Sequence, residues 1–210
     1  RHPANSCETI TYKQATSGDA EKWQQVMQSE ITFLNENKTW ELVNKPAKTS
    51  IIHSKWVYTI KNEPTGQRYK ARLVAIGSSQ RKNIDYKETF SPVVRWETIR
   101  LFLTICVQRN LIPEQLDVNS AYLYGKIDTP IYMMSQPQGF VLDSNKVCLL
   151  KKSLYGLKQS GRIWYETVTK KFIEYGFQIS KFDPCLLFHR KYNIVAIVWV
   201  DDFLLMGTND

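Results

Sequence analysis

Between Asp19 and Glu36 apolar residues recur every three or four positions, at Trp23, Val26, Met27, Ile31 and Leu34. That spacing predicts an amphipathic helix over residues 19–36, with an N-cap offered by Ser17-Gly18-Asp19 and an end at Asn35 to Asn37. From Ser54 the period falls to two: Trp56, Tyr58 and Ile60 alternate with Lys55, Thr59 and Lys61. Asn62-Glu63-Pro64-Thr65-Gly66 then turns the chain into RYKARLVAIG, which predicts a β-hairpin.

Residues 96–109, WETIRLFLTICVQR, are apolar on most sides and predict a buried helix. Pro113 admits a strand, EQLDVNSAYLYG, followed by short strands around Ile131-Tyr132-Met133 and at Val147-Cys148-Leu149-Leu150. Ile163 or Trp164, Val168, Phe172 and Tyr175 share one helical face, so residues 159–175 should form a helix that Gly176 terminates. The last stretch, CLLFHRKYNIVAIVWVDDFLLMG, predicts a strand at 185–190, a turn at Lys191-Tyr192-Asn193, and a hairpin tipped by Asp201 and Asp202. No repeat, low-complexity tract or linker divides the chain. The expected architecture is α+β: an antiparallel sheet with two helices on one face, and an N-terminal β-rich extension.

Composition narrows the class. The chain has 210 residues, 43% hydrophobic and 23% charged, which suits one globular domain, or one domain with a subdomain packed on it. Its longest apolar run, Ile194 to Val200, is far below the ~20 residues of a spanning helix, and the N-terminus lacks a signal-peptide core. Cys7, Cys106, Cys148 and Cys185 lie far apart, and His2, His53 and His189 match no zinc spacing, so the cysteines read as reduced thiols. A net charge of +8 favours a polyanionic partner, because Lys and Arg displace counterions condensed on phosphates.

Three carboxylates stand out. Asp201 and Asp202 interrupt an apolar hairpin, and Asp-Asp suits a two-residue turn poorly because its central residues need positive φ. Two carboxylates about 4 Å apart repel by roughly 4 kcal/mol at an effective dielectric near 20, a cost that a divalent cation removes. Asp117 lies between Leu116 and Val118, and taken alone it reads first as a strand-end Asp capping the next turn and only then as a catalytic group. If its strand adjoins the hairpin, the three make an oxygen-only set of the kind Mg2+ prefers, and two such ions suit nucleotidyl transfer. Lys70 and Arg72, two residues apart, project from one strand face, opposite Tyr69, Ala71 and Leu73. A solvated face is the simpler reading of that pair, a phosphate grip the sharper one.

The ordered motifs TWELV (39–43), KWVYTIK (55–61), RYKARLVAIG (68–77), DYKETFSPVVR (85–95), QLDVNSAYLYG (115–125), IYMMSQPQGF (131–140), KKSLYGLKQSGRIWY (151–165), DPCLLF (183–188) and VDD (200–202) give a resemblance over nearly the whole chain. It resembles the reverse transcriptase of copia-type LTR retrotransposons, found in retrovirus-related Pol polyproteins. The resemblance implies a palm-and-fingers polymerase fold without a thumb: a reverse transcriptase domain over 1–210, incomplete at its C-terminus. Residues up to about 112 would form the N-terminal and fingers region with the first palm helix, and 113–210 the palm with part of the fingers.

The same resemblance implies roles for individual residues. Asp117, Asp201 and Asp202 would hold two Mg2+ ions, or Mn2+ in their place. Tyr122 would lie under the incoming sugar, Lys70 and Arg72 in the hairpin gripping the triphosphate, and Tyr155, Gly156 and Lys158 against nucleotide and template. Implied partners are an RNA template, a nucleic-acid primer, dNTPs and the ribonuclease H, integrase and protease regions of the polyprotein. No membrane is implied, and the expected location is cytoplasmic, in virus-like particles, with a nuclear phase. The chain departs from the family at Trp199, usually Tyr, at Gly161, usually Pro or a small residue, and at Ile76 and Ser78. A truncated, non-catalytic remnant that binds nucleic acid through its basic surface is the alternative.

Overall fold

The computed structural model describes residues 10–47, 49–64, 66–127 and 133–207. In chain order its elements are α1 (Tyr12–Ala15), α2 (Ala20–Glu36), β1 (Trp40–Asn44), β2 (Ser54–Glu63), β3 (Gly66–Ala75), α3 (Trp96–Gln108), β4 (Glu114–Asp117), β5 (Met133–Met134), β6 (Lys146–Leu150), α4 (Ser160–Glu174), β7 (Gln178–Ile179), β8 (Leu186–His189), β9 (Ile194–Trp199) and β10 (Asp202–Met206). They fall into two compact units: Arg1–Asp85 with Ile127–Leu157, and Tyr86–Lys126 with Lys158–Asp210. The protein is therefore mixed α+β with antiparallel sheets.

In the first unit β2 and β3 form the expected hairpin, paired from Ser54↔Ala75 to Glu63↔Gly66. Its inner face carries Trp56, Ala71 and Leu73, all buried, as the alternation requires. Helix α2 lays Trp23, Met27, Ile31 and Leu34 inward, with Trp23 meeting Tyr58 and Tyr69 edge-to-face at 4.9 and 4.7 Å. Asp19 takes the N-cap position without capping by its side chain; its carboxylate accepts from the Tyr69 hydroxyl at 2.6 Å instead. The open edge of β3 is closed twice: the Leu73 N–H donates to Glu30 Oε1 at 3.3 Å and the Ala75 N–H to the Tyr155 carbonyl at 2.8 Å. A second sheet, in the order β1-β6-β5, completes the unit. Ile131 and Tyr132, of the strand expected there, lie outside the described residues, and β5 takes up Met133–Met134.

In the second unit five strands run in the order β4-β10-β9-β8-β7, all antiparallel. The expectation of two helices on one face is wrong here. Val94, Ile99, Phe102 and Cys106, from α3 and its approach, pack with Cys185, Ile197 and Met206. Trp164 and Val168 of α4 pack with Leu187, Ala196, Val198 and Phe203. Ile197 lies between Ala196 and Val198 on one strand, so the two helices cover opposite faces. The reason was visible in the unbroken apolar run of β9, which needs cover on both sides.

The strand expected over EQLDVNSAYLYG also ends early, at Asp117. Ser120 turns left-handed, at φ +55, and Ala121–Tyr124 is a single 3-10 turn. Asn119 and Ser120 are turn formers, which explains why the ladder stops.

Helix α3 starts without a cap from its own N-cap residue, Arg95. Asp183 supplies one from afar: Oδ2 accepts from the Arg95 N–H at 3.0 Å and the Thr98 hydroxyl at 2.6 Å, and Oδ1 from the Cys185 N–H at 2.9 Å. Burial pushes this carboxyl up, but the bonds from Thr98, Arg95 and Cys185 prevail and hold it below its ordinary value. A carboxylate held low stabilises the fold above its unfolded pKa and loses that contribution as pH falls. Asp183→Ala should therefore cost about 2–3 kcal/mol at neutral pH by urea denaturation. The gap to wild type should narrow progressively as pH falls below about 5.

Candidate active site

Two strands of the second unit bring two of the three aspartates together. In the β4–β10 ladder Asp117 and Asp202 are direct partners, and Asp202 also partners Trp199 across β9. Cross-strand partners share a face, so Asp117, Asp202 and Trp199 form one row, on the α3 side of the sheet. Asp117 and Asp202 are exposed, and Gln115 Nε2 donates to Asp202 Oδ1 at 3.3 Å. The Trp199 ring meets Trp96, the first residue of α3, edge-to-face at 5.4 Å. The bulkier ring is thus seated on a second indole.

The turn differs from the expected one. Because Asp202 pairs with Trp199, the two residues at the tip are Val200 and Asp201, and Asp202 already belongs to β10. Val200 takes the positive φ, +52, an uncommon conformation for a β-branched residue. The Asp201 carbonyl accepts from the Val118 N–H at 2.8 Å, and the Val200 carbonyl from Trp164 Nε1–H at 2.6 Å. Asp201 itself is half-buried and lies close enough to Tyr122 for its charge to act on the phenol. Burial first, and the Asp201 carboxylate second, push the Tyr122 hydroxyl above its ordinary value.

Asp117 and Asp202 therefore face each other while Asp201 sits in the turn beside Tyr122. Among the described residues no three carboxylate, histidine or cysteine side chains converge as a ready metal cluster. The donor set nevertheless fits a hard divalent cation: its ligand atoms are carboxylate oxygens, two of the three groups are accessible, and those two are direct cross-strand partners. Lys158 lies in the same unit, its ammonium 4.9 Å from the Tyr86 ring centroid and 3.4 Å from its hydroxyl. Gly161, near the start of α4, lies against Ser91, on which any side chain there would press.

The first unit holds the other candidates. On the outer face of the hairpin Val57↔Arg72, Thr59↔Lys70 and Lys61↔Arg68 are partners, so Lys61, Arg68, Lys70 and Arg72 share one basic face. Arg68 pairs with Glu63 at 3.4 Å. Partial burial, then the Arg72, Lys61 and Arg68 cations, lower the Lys70 ammonium from its ordinary range. The Arg72 guanidinium lies over the Tyr155 ring, 5.3 Å from its centroid. Gly156 has φ +91, and a Cβ there would run into the Ala75 carbonyl and Val74; a Cβ on Gly77 would run into the Gly156 carbonyl. Gly156 is required by backbone against backbone, whatever else it touches.

Residues 37–210 match the family described as reverse transcriptase (RNA-dependent DNA polymerase). The chain is 42% identical over 196 residues to the Retrovirus-related Pol polyprotein from transposon RE1 of Arabidopsis thaliana, covering 90% of this chain and 13% of that protein. This chain belongs to the reverse transcriptase family. The Retrovirus-related Pol polyprotein from transposon TNT 1-94 of Nicotiana tabacum is 40% identical over 188 residues, 86% of this chain and 14% of its own length. The Transposon Ty1-ER2 Gag-Pol polyprotein of Saccharomyces cerevisiae is 31% identical over 211 residues, 95% of this chain and 11% of its own length. The family is thus the copia/Ty1-type reverse transcriptase region of retrotransposon Pol polyproteins, and the chain spans 11–14% of these three relatives. No helix among the described residues is long and apolar enough to cross a membrane.

Several residues that shape the site carried no assigned role in the sequence: Trp96, Trp164, Asp183 and Val200. Asp183, Trp164 and Val200 lie inside the motifs DPCLLF, KKSLYGLKQSGRIWY and VDD, and Trp96 opens the predicted helix WETIRLFLTICVQR. The facing carboxylates make a stability prediction. In metal-free buffer Asp117→Asn should raise stability by about 0.5 kcal/mol, because it removes like charge across the ladder, as a urea-melt comparison at neutral pH would show. Gly156→Ala should instead cost about 2 kcal/mol or more in the same assay.

Proposed function

We propose that this reverse transcriptase region comprises the fingers and palm of an RNA-directed DNA polymerase, which extends a nucleic-acid primer on an RNA template with dNTPs. The observation that carries the proposal is the direct pairing of Asp117 with Asp202, next to Asp201, in a chain of this family. Asp117, Asp201 and Asp202 would hold two Mg2+ ions, with Mn2+ as a substitute. Bound there, the metals would activate the primer hydroxyl and neutralise charge on the leaving pyrophosphate.

The chain's own residues supply binding and selection. Tyr122 offers a ring that would exclude a ribose 2′-hydroxyl from the sugar position. Lys70 and Arg72, on the basic face of the hairpin, would grip the triphosphate, with the Tyr155 ring steadying the Arg72 guanidinium. Lys158 would meet the template backbone. Gly156 keeps this stretch of chain tight against the end of β3. The ribonuclease H, integrase and protease regions of the polyprotein would act with it, in cytoplasmic virus-like particles and then the nucleus.

Primer extension on poly(rA)/oligo(dT), with the chain carried in its Pol polyprotein, tests the assignment. Asp117→Asn and Asp201→Asn should each lower the rate about 100-fold or more. Tyr122→Ala should improve ribonucleotide incorporation relative to dNTPs about 10-fold. Extension by Asp201→Asn equal to wild type would remove the metal assignment. RNA binding without incorporation by wild type would leave a nucleic-acid-binding remnant.

A further inference from the structure

The hairpin tip that carries Asp201 is held in an unfavourable conformation. Val200 sits at φ +52, where a β-branched side chain crowds its own backbone. Something outside the turn must keep it there. Two bonds reach the tip: the Val118 N–H to the Asp201 carbonyl, and Trp164 Nε1–H to the Val200 carbonyl at 2.6 Å. The second comes from a side chain 36 residues away in sequence, on α4.

Trp164 is built as a fixed donor. It is 5% exposed and packed with Ala121, Val168, Ala196, Val198 and Phe203, with Tyr124 tilted against it at 6.1 Å. An indole in that setting cannot swing away with its partner. Packing alone does not fix the turn, because a cavity of about 190 Å³ adjoins it, lined in part by Tyr122, Gly161, Trp164, Val198 and Val200. The Val200 carbonyl belongs to the peptide plane that leads into Asp201. Rotation of that plane reorients Asp201 directly.

We propose that Trp164 is a positioning residue: through its indole N–H it pins the Val200–Asp201 peptide and so sets the direction of Asp201 relative to the facing Asp117 and Asp202. Its bearing on catalysis rests on the polymerase reading above. Its bearing on the turn does not.

Three measurements decide it, the first two on the full chain and the third with the chain carried in its Pol polyprotein. In isotope-labelled wild type without metal, the Trp164 indole proton should exchange with solvent far more slowly than that of exposed Trp96; equal rates would overturn the proposal, and this needs no variant to fold. In Trp164→Phe the amide resonances of Val200, Asp201 and Asp202 should shift or broaden while those of Phe102 and Cys106, in the core on the other face of the sheet, stay in place. Unchanged turn amides in that variant would overturn it. In primer extension Trp164→Phe should lower kcat about 10- to 100-fold while KM for primer-template stays within about 2-fold.

A second substitution separates positioning from folding. Val200→Asn places at the tip a residue that tolerates left-handed backbone. Added to Trp164→Phe, it should return the turn amides towards wild type and recover part of the lost kcat. A merely structural Trp164 predicts no rescue, and that result would overturn the proposal. If wild type extends no primer, the polymerase reading falls, while indole exchange and the turn amides still decide whether Trp164 holds the turn.

Discussion

Asp117 and Asp202 face each other across one antiparallel ladder, and much of the second unit can be understood as support for that pairing. Like charges opposed on a sheet are unfavourable, so the strands beneath them must be held by something other than the residues at the site. The support is apolar and comes from both sides. Helix α3 packs on one face through Ile99, Phe102 and Cys106, and α4 on the other through Trp164 and Val168. Both helices also reach the hairpin tip: Trp96 starts α3 against Trp199, and Trp164 bonds the Val200 carbonyl. Asp183, by holding the first turn of α3, fixes where Trp96 begins.

The first unit solves a different problem with the same kind of device. A two-stranded ribbon has two open edges and is marginal by itself. Here α2 covers its inner face, and Glu30 and the Tyr155 carbonyl close the outer edge of β3. Glu30 does so at a cost, since burial raises its carboxyl above the ordinary range while the Leu73 N–H partly offsets the rise. The ribbon can then carry several cations on its outer face without relying on that face for stability. In the proposed function those cations meet phosphate.

The elements were largely legible from periodicity. Helix α2, the β2–β3 hairpin, α3, α4 and the final strands all begin and end within a few residues of where Trp23 to Leu34, Trp56 to Leu73 and Ile163 to Phe172 put them. What periodicity could not give was which face each helix covers, because a run such as Ala196 to Val198 looks the same from both sides. It also missed the register of the hairpin by one residue. Asp-Asp reads as the tip because it interrupts the apolar run, although it suits such a turn poorly, yet pairing of Asp202 with both Trp199 and Asp117 puts Val200 in the strained position. The basic face of Lys70 and Arg72 was legible, since alternation in a strand fixes it locally. The parts played by Asp183 and Trp164 were not, because each depends on a partner 36 or more residues away in sequence.

Binding of Mn2+ to the isotope-labelled chain, followed by paramagnetic broadening of backbone amides, reports most directly on what the facing carboxylates are for. Saturable broadening should centre on Asp117, Asp201 and Asp202, extend to Trp199 and Tyr122, compete with Mg2+, and be lost in Asp202→Asn. Broadening centred elsewhere in the chain, or none at these residues, would contradict the assignment of Asp117, Asp201 and Asp202 as the metal-binding set.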